Sequence, residues 1–138
     1  MKSWIIATLS VALSLPTLSR AQDYSDYPIF SAERAGSPQY RACMSRKESN
    51  VNESFCLTEE LQRQRTELKI AFAARLRDTS SATRAQMIKA QAAWETYVAT
   101  NCAVRVLTGG SGAGIFKVSC LVRETITRRT EITDNWDY

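Results

Sequence analysis

Apolar residues recur along this chain at helical spacing. Leu57, Leu61, Leu68, Phe72 and Leu76 fall 4, 7, 4 and 4 residues apart, which puts them on one stripe of a helix over residues 53–78. Glu59, Glu60, Arg63, Arg65, Glu67 and Lys69 occupy its other faces. Met87, Gln91, Trp94, Val98 and Cys102 repeat at 4, 3, 4 and 4, widened by Ile88 and Tyr97, and predict a second long helix over residues 82–107. Between them, Asp78-Thr79-Ser80-Ser81 closes the first helix and offers N-caps to the second. A third helix is expected from near Phe116 to about Thr133, with Leu121, Val122, Thr125, Ile132 and the later Trp136 available for packing. A short helix over residues 39–47 and polar turn residues over 49–54 precede these. No alternating run with paired turns appears, so no strand is predicted. The pattern reads as all-α, a small antiparallel bundle of about three main helices.

Three segments fall outside this periodicity. Lys2 precedes an apolar run over residues 4–15, Pro16 breaks it, and Ser19-Arg20-Ala21 sets small residues at −3 and −1 before Gln22. That order predicts a signal peptide over residues 1–21 and a periplasmic or secreted protein. Its apolar run is too short to span a bilayer, and no later stretch reaches the roughly 18 apolar residues a membrane helix needs. Residues 22–38 hold Tyr24, Tyr27, Pro28, Phe30, Gly36 and Pro38 without a period and read as an extended or flexible arm. The helical domain is then expected over residues 39–138. Finally, Gly109-Gly110-Ser111-Gly112-Ala113-Gly114 concentrates four of five glycines and reads as a loop between the last two helices.

Removal of residues 1–21 leaves 117 residues, enough for one domain. The mature chain carries 16 basic and 14 acidic residues. A net charge of +2 is too small to argue for nucleic acid. The charges are unevenly placed: residues 22–60 hold 7 acidic and 4 basic residues, the remainder 7 and 12. The basic side chains of that remainder, Arg63, Arg65, Lys69, Arg75, Arg84, Arg123, Arg128 and Arg129 among them, read as a solvated surface.

Cys43, Cys56, Cys102 and Cys120 are the only cysteines. An even number in a small exported domain reads as two disulfides. With no histidine and no C-x-x-C pair, a zinc site is not expected, nor any cofactor. Antiparallel helices would gather all four sulfurs at one end. Three pairings are open; Cys43–Cys56 and Cys102–Cys120 are favoured because each closes a local segment.

The inventory of reactive groups argues against an enzyme. Without histidine, Ser111 has no obvious base. Glu59 and Glu60 are adjacent on a helix and point about 100° apart, so they do not converge on one substrate; they read as a solvated helix start favoured by the dipole. A glycine loop over Gly109, Gly110, Ser111, Gly112 and Gly114, pinned by a disulfide, would enter a partner's cleft with little ordering cost. Gln91, Trp94 and Tyr97 read as core, with Thr125 and Arg128 completing that arrangement across the helix interface.

The ordered set of these residues resembles a known family. Cys43 and Cys56 are followed by Leu68-x-x-x-Phe72, Ala90-Gln91-x-x-Trp94-x-x-Tyr97, Cys102, Gly109-Gly110-Ser111, Cys120, Thr125-x-x-Arg128 and Ile132. This looks like the LprI-type, lysozyme-inhibitor-like family of small exported bacterial proteins. Against that pattern, Lys69 stands for an asparagine, Phe72 for a tyrosine and Val98-Ala99 for an Arg-Asp pair. The resemblance implies an exported binding protein that inhibits lysozyme or a related peptidoglycan hydrolase. The alternative is an envelope interaction module without inhibitory activity. Neither the target nor the oligomeric state follows from the sequence.

Overall fold

The computed structural model describes residues 35–108 and 110–134. The expected signal peptide, all but the last residues of the expected arm, and Trp136 lie outside them. The described chain is helical: α1 over Pro38–Met44, α2 over Asn50–Arg77, α3 over Ser81–Thr108, a single 3-10 turn over Gly110–Gly112, and α4 over Ala113–Asp134. The all-α expectation is met, and the long helices lie within three residues of their expected bounds at each end.

Local chemistry sets each boundary. Ser37 caps α1 by accepting the Tyr40 N–H, and Pro38 stands at the first position, where no N–H is needed. Ser49 caps α2 by accepting from the Asn52 N–H at 3.3 Å, while Arg75 and Arg77 in its last turn favour the dipole. The connection to α3 is only three residues long. Ser80 Oγ accepts from Thr83 N–H, and the Arg84 guanidinium donates back to the carbonyls of Leu76 and Thr79 at 2.9 and 3.0 Å. Arg84 thus satisfies the Leu76 carbonyl in the last turn of α2 and the Thr79 carbonyl of the connection, and ties the hairpin shut.

α4 is the central element. It makes the large interfaces with both α2 and α3, while α1 packs on α2. One apolar cluster joins Tyr40, Cys56, Leu57, Leu61, Val122 and Ile126; a second joins Val98, Cys102 and Cys120, with Trp94 and Leu121 packed against it. Fully burying a side chain such as Val122 contributes roughly 1.5–3 kcal/mol. These pairings run α4 parallel to α2 and antiparallel to α3.

The structure carries two disulfides, Cys43–Cys56 and Cys102–Cys120. Cys56 lies in the second turn of α2, Cys102 six residues before the end of α3, and Cys120 in the third turn of α4. All four sulfurs therefore sit at one end of the bundle.

Three readings change. The glycine segment is not a free loop: only Gly109 separates α3 from the 3-10 turn, and Ala113 and Gly114 already belong to α4. Among the described glycines, Gly110 alone requires glycine's freedom, at φ +54°. Glu60 is not solvated but completely buried. The end of the arm is anchored as well: Gly36 is buried, and Ser37 donates to Glu60 through both its N–H and its hydroxyl.

Candidate functional site

Three places on the molecule concentrate chemistry: a buried carboxylate, the disulfide pole, and a groove between α2 and α3.

Glu60 is a hub. Its oxygens accept from Ser37 N–H at 2.8 Å, Ser37 Oγ–H at 2.6 Å, Gln64 Nε2 at 2.8 Å and Arg63 Nε at 3.0 Å. Burial pushes its pKa up, but the hydrogen bonds from Ser37, Gln64 and Arg63 outweigh it and hold the carboxyl below its ordinary value. Because Ser37 also caps α1, this one carboxylate fastens α1 to α2. Gln64, 2% exposed, fills the seven-residue gap in the apolar stripe between Leu61 and Leu68. Its Oε1 is buried without a hydrogen-bond partner among the described residues. The burial of Glu60 and Gln64 was hidden from the sequence by their polarity, although that gap was a readable signal.

At the disulfide pole stands an unusual set of exposed apolar side chains. Val51 and Phe55 start α2; Val104, Val106 and Leu107 end α3; Phe116 starts α4. Leu107 is 84% exposed, Val51 78% and Phe55 62%. These six are two-thirds of the exposed large apolar side chains among the described residues. Exposed apolar side chains concentrated at one end of a molecule are candidates for an interaction surface. Gly110 and Ser111 are exposed in the 3-10 turn, and the ring of Phe116 lies 3.1 Å from where a Cβ on Gly112 would stand. Arg105 and Lys117 flank the turn in sequence. The sequence-predicted partner residues thus sit in a compact corner rather than on a projecting loop.

The groove lies lower on the bundle. α2 supplies Arg65, Leu68, Lys69 and Phe72, and α3 supplies Gln91, Trp94, Glu95, Val98 and Ala99. Leu121 and Thr125 of α4 complete it, and it encloses about 440 Å³. Behind it, Arg128 donates from Nε to Gln91 Oε1 at 3.1 Å, lies 5.8 Å from the centre of the Trp94 ring, and pairs with Glu131. Arg128 is therefore a buried organising residue, not part of a solvated basic surface. Gln91 donates its amide to Glu95 at 3.2 Å.

Of the residues singled out in the sequence, Leu68, Phe72, Gln91, Trp94 and Thr125 converge on this groove. Tyr97 does not: it is exposed on the far side of its helix turn. Thr125 donates to its own helix at Leu121 O and not across the interface. All four departures from the family pattern, Lys69, Phe72, Val98 and Ala99, line the groove. Among the described residues no group of acidic or cysteine side chains could hold a metal ion, and no helix is long and apolar enough to cross a membrane.

Fold and disulfides define the class: a small all-α domain, braced by two bridges that fit an oxidising, extracytoplasmic compartment. The model of the family described as "Lysozyme inhibitor LprI" matches residues 41–132, two-thirds of the chain. The protein belongs to the LprI lysozyme-inhibitor family. No curated protein and no solved structure matches it.

Proposed function

We propose that this protein is a periplasmic or secreted inhibitor of lysozyme or a related peptidoglycan hydrolase, acting by binding and not by catalysis. Family membership over residues 41–132 carries the reading. The surface we assign to the hydrolase is the disulfide pole, where the exposed apolar cluster supplies area to bury and the braced Gly110–Gly112 turn is ordered before contact. Many glycan hydrolases work with two carboxylates flanking the scissile bond. Arg105 and Lys117 beside the turn offer cations to such a cleft, and the exposed Ser111 offers a hydroxyl.

Long-range attraction contributes little. A mature chain of net charge +2 is not steered toward basic lysozymes, so affinity must come from contact at the pole. The test is the rate of cell-wall lysis by c-, g- and i-type lysozymes with the purified mature protein in micromolar excess. Slower lysis by at least one type is expected; unchanged rates with all three would overturn the proposal.

A further inference from the structure

The groove between α2 and α3 combines three chemistries that the proposed inhibition leaves unused. Its volume, about 440 Å³, falls in the range of small-ligand sites. Leu68, Phe72, Trp94 and Leu121 give it apolar and aromatic walls. On the α2 side, Arg65 and Lys69 stand one helical turn apart, and neither is in an ion pair among the described residues. Glu95 faces the same groove from α3 and receives one amide hydrogen bond, from Gln91. Of the other polar side chains, the Gln91 amide donates one hydrogen bond to Glu95 and the Thr125 hydroxyl donates to Leu121 O.

A ligand that suits this groove brings an anion for the two cations, a donor for Glu95, and an apolar face for the aromatic walls. A fatty acid supplies the anion and the apolar body but sets hydrocarbon beside the Glu95 carboxylate and brings it no donor. A neutral saccharide supplies the donor and leaves both cations unmatched. An extended peptide brings a backbone N–H and a carbonyl with every residue, and the helical walls, whose own backbone groups are already paired, offer no matching ladder. A sugar carrying both a carboxylate and an N-acyl group meets every requirement. Its carboxylate pairs with Arg65 and Lys69, its amide N–H donates to Glu95, and its C–H face and acyl methyl pack on Phe72 and Trp94.

We propose that the groove between α2 and α3 is a binding site for an acidic, N-acylated saccharide. The site is separate from the disulfide pole and does not depend on it.

Isothermal titration of the purified mature protein tests this, with no hydrolase present. The probes are the N-acetylglucosamine–N-acetylmuramic acid disaccharide, N-acetylneuraminic acid, N,N′-diacetylchitobiose, laurate and a Glu-containing tripeptide. One of the two acidic sugars is expected to bind at least tenfold more tightly than chitobiose, and which one identifies the source. The double substitution Arg65→Ala with Lys69→Ala should weaken that binding at least tenfold, and Glu95→Gln should weaken it severalfold. All three side chains are exposed, so thermal melts of the variants should match the parent. No binding of either acidic sugar at millimolar concentration overturns the assignment. So does binding indifferent to these substitutions, or tighter binding of laurate or the tripeptide. Loss of lysozyme inhibition alone would not move this readout.

Discussion

Glu60 shows how much one side chain can hold. It is fully buried, and beside Arg63 its donors each anchor something: Ser37 caps α1, and Gln64 fills the core stripe. Deleting the carboxylate leaves the Ser37 and Gln64 donors without their acceptor, at about 1–3 kcal/mol for each buried donor left unpaired, so Glu60→Ala should lower the unfolding free energy by ~3 kcal/mol in a urea titration. The pH dependence has a definite sign. Because the folded carboxyl sits below its ordinary value, its contribution is present in full above the unfolded carboxylate range, ~4.3. It is lost as pH falls through the folded pKa. Urea midpoints should therefore drop as the solution is acidified below that range, and Glu60→Gln should flatten that segment of the profile. Sequence reasoning placed Glu60 on a solvated face because polarity usually means exposure. By contrast the set Gln91, Trp94, Tyr97, Thr125 and Arg128 was partly legible from helical spacing: Gln91, Trp94 and Arg128 meet, while Tyr97 is exposed and Thr125 bonds within its own helix.

Helix extents were legible from the apolar period and the capping residues Asp78–Ser81, while residues 50–54, read as a polar turn, are the first turn of α2, capped by Ser49. The glycine segment was not, because composition does not reveal which glycine adopts a left-handed φ. Two substitutions separate these roles with opposite signs. Gly110→Ala forces a Cβ onto φ +54° and should cost about 1 kcal/mol or more. Gly114→Ala lies in the first turn of α4 with open space around the new methyl, and should stabilise by about 0.5–1 kcal/mol. Thermal melts of the pair check both. The bridges act on the same scale. Cys102–Cys120 closes 18 residues and Cys43–Cys56 closes 13, and loop-closure entropy assigns each about 3 kcal/mol. Paired serine replacement of either bridge should show a loss of that size in denaturant unfolding.

At the scale of the molecule, α4 threads between α2 and α3, and the second disulfide sets its register against α3. That arrangement produces two surfaces from one bundle. The braced end exposes Val51, Phe55, Leu107 and Phe116, and the middle leaves a groove lined by four residues that depart from the family pattern. The pole was half legible: antiparallel helices placed the sulfurs together, while Val51, Phe55, Val104, Val106 and Leu107 lie off the apolar stripes and gave no signal of a surface. Inhibition through this pole is the central claim. It is tested by comparing Leu107→Asp with Ile70→Asp, two exposed apolar sites, the second lying on α2 well away from the pole. Each is assayed in lysozyme-driven cell-wall lysis beside the parent. The parent and Ile70→Asp should slow lysis equally, while Leu107→Asp should need about tenfold more protein, the ~1.4 kcal/mol expected of a central contact. Equal inhibition by all three, or none by the parent, would contradict the account.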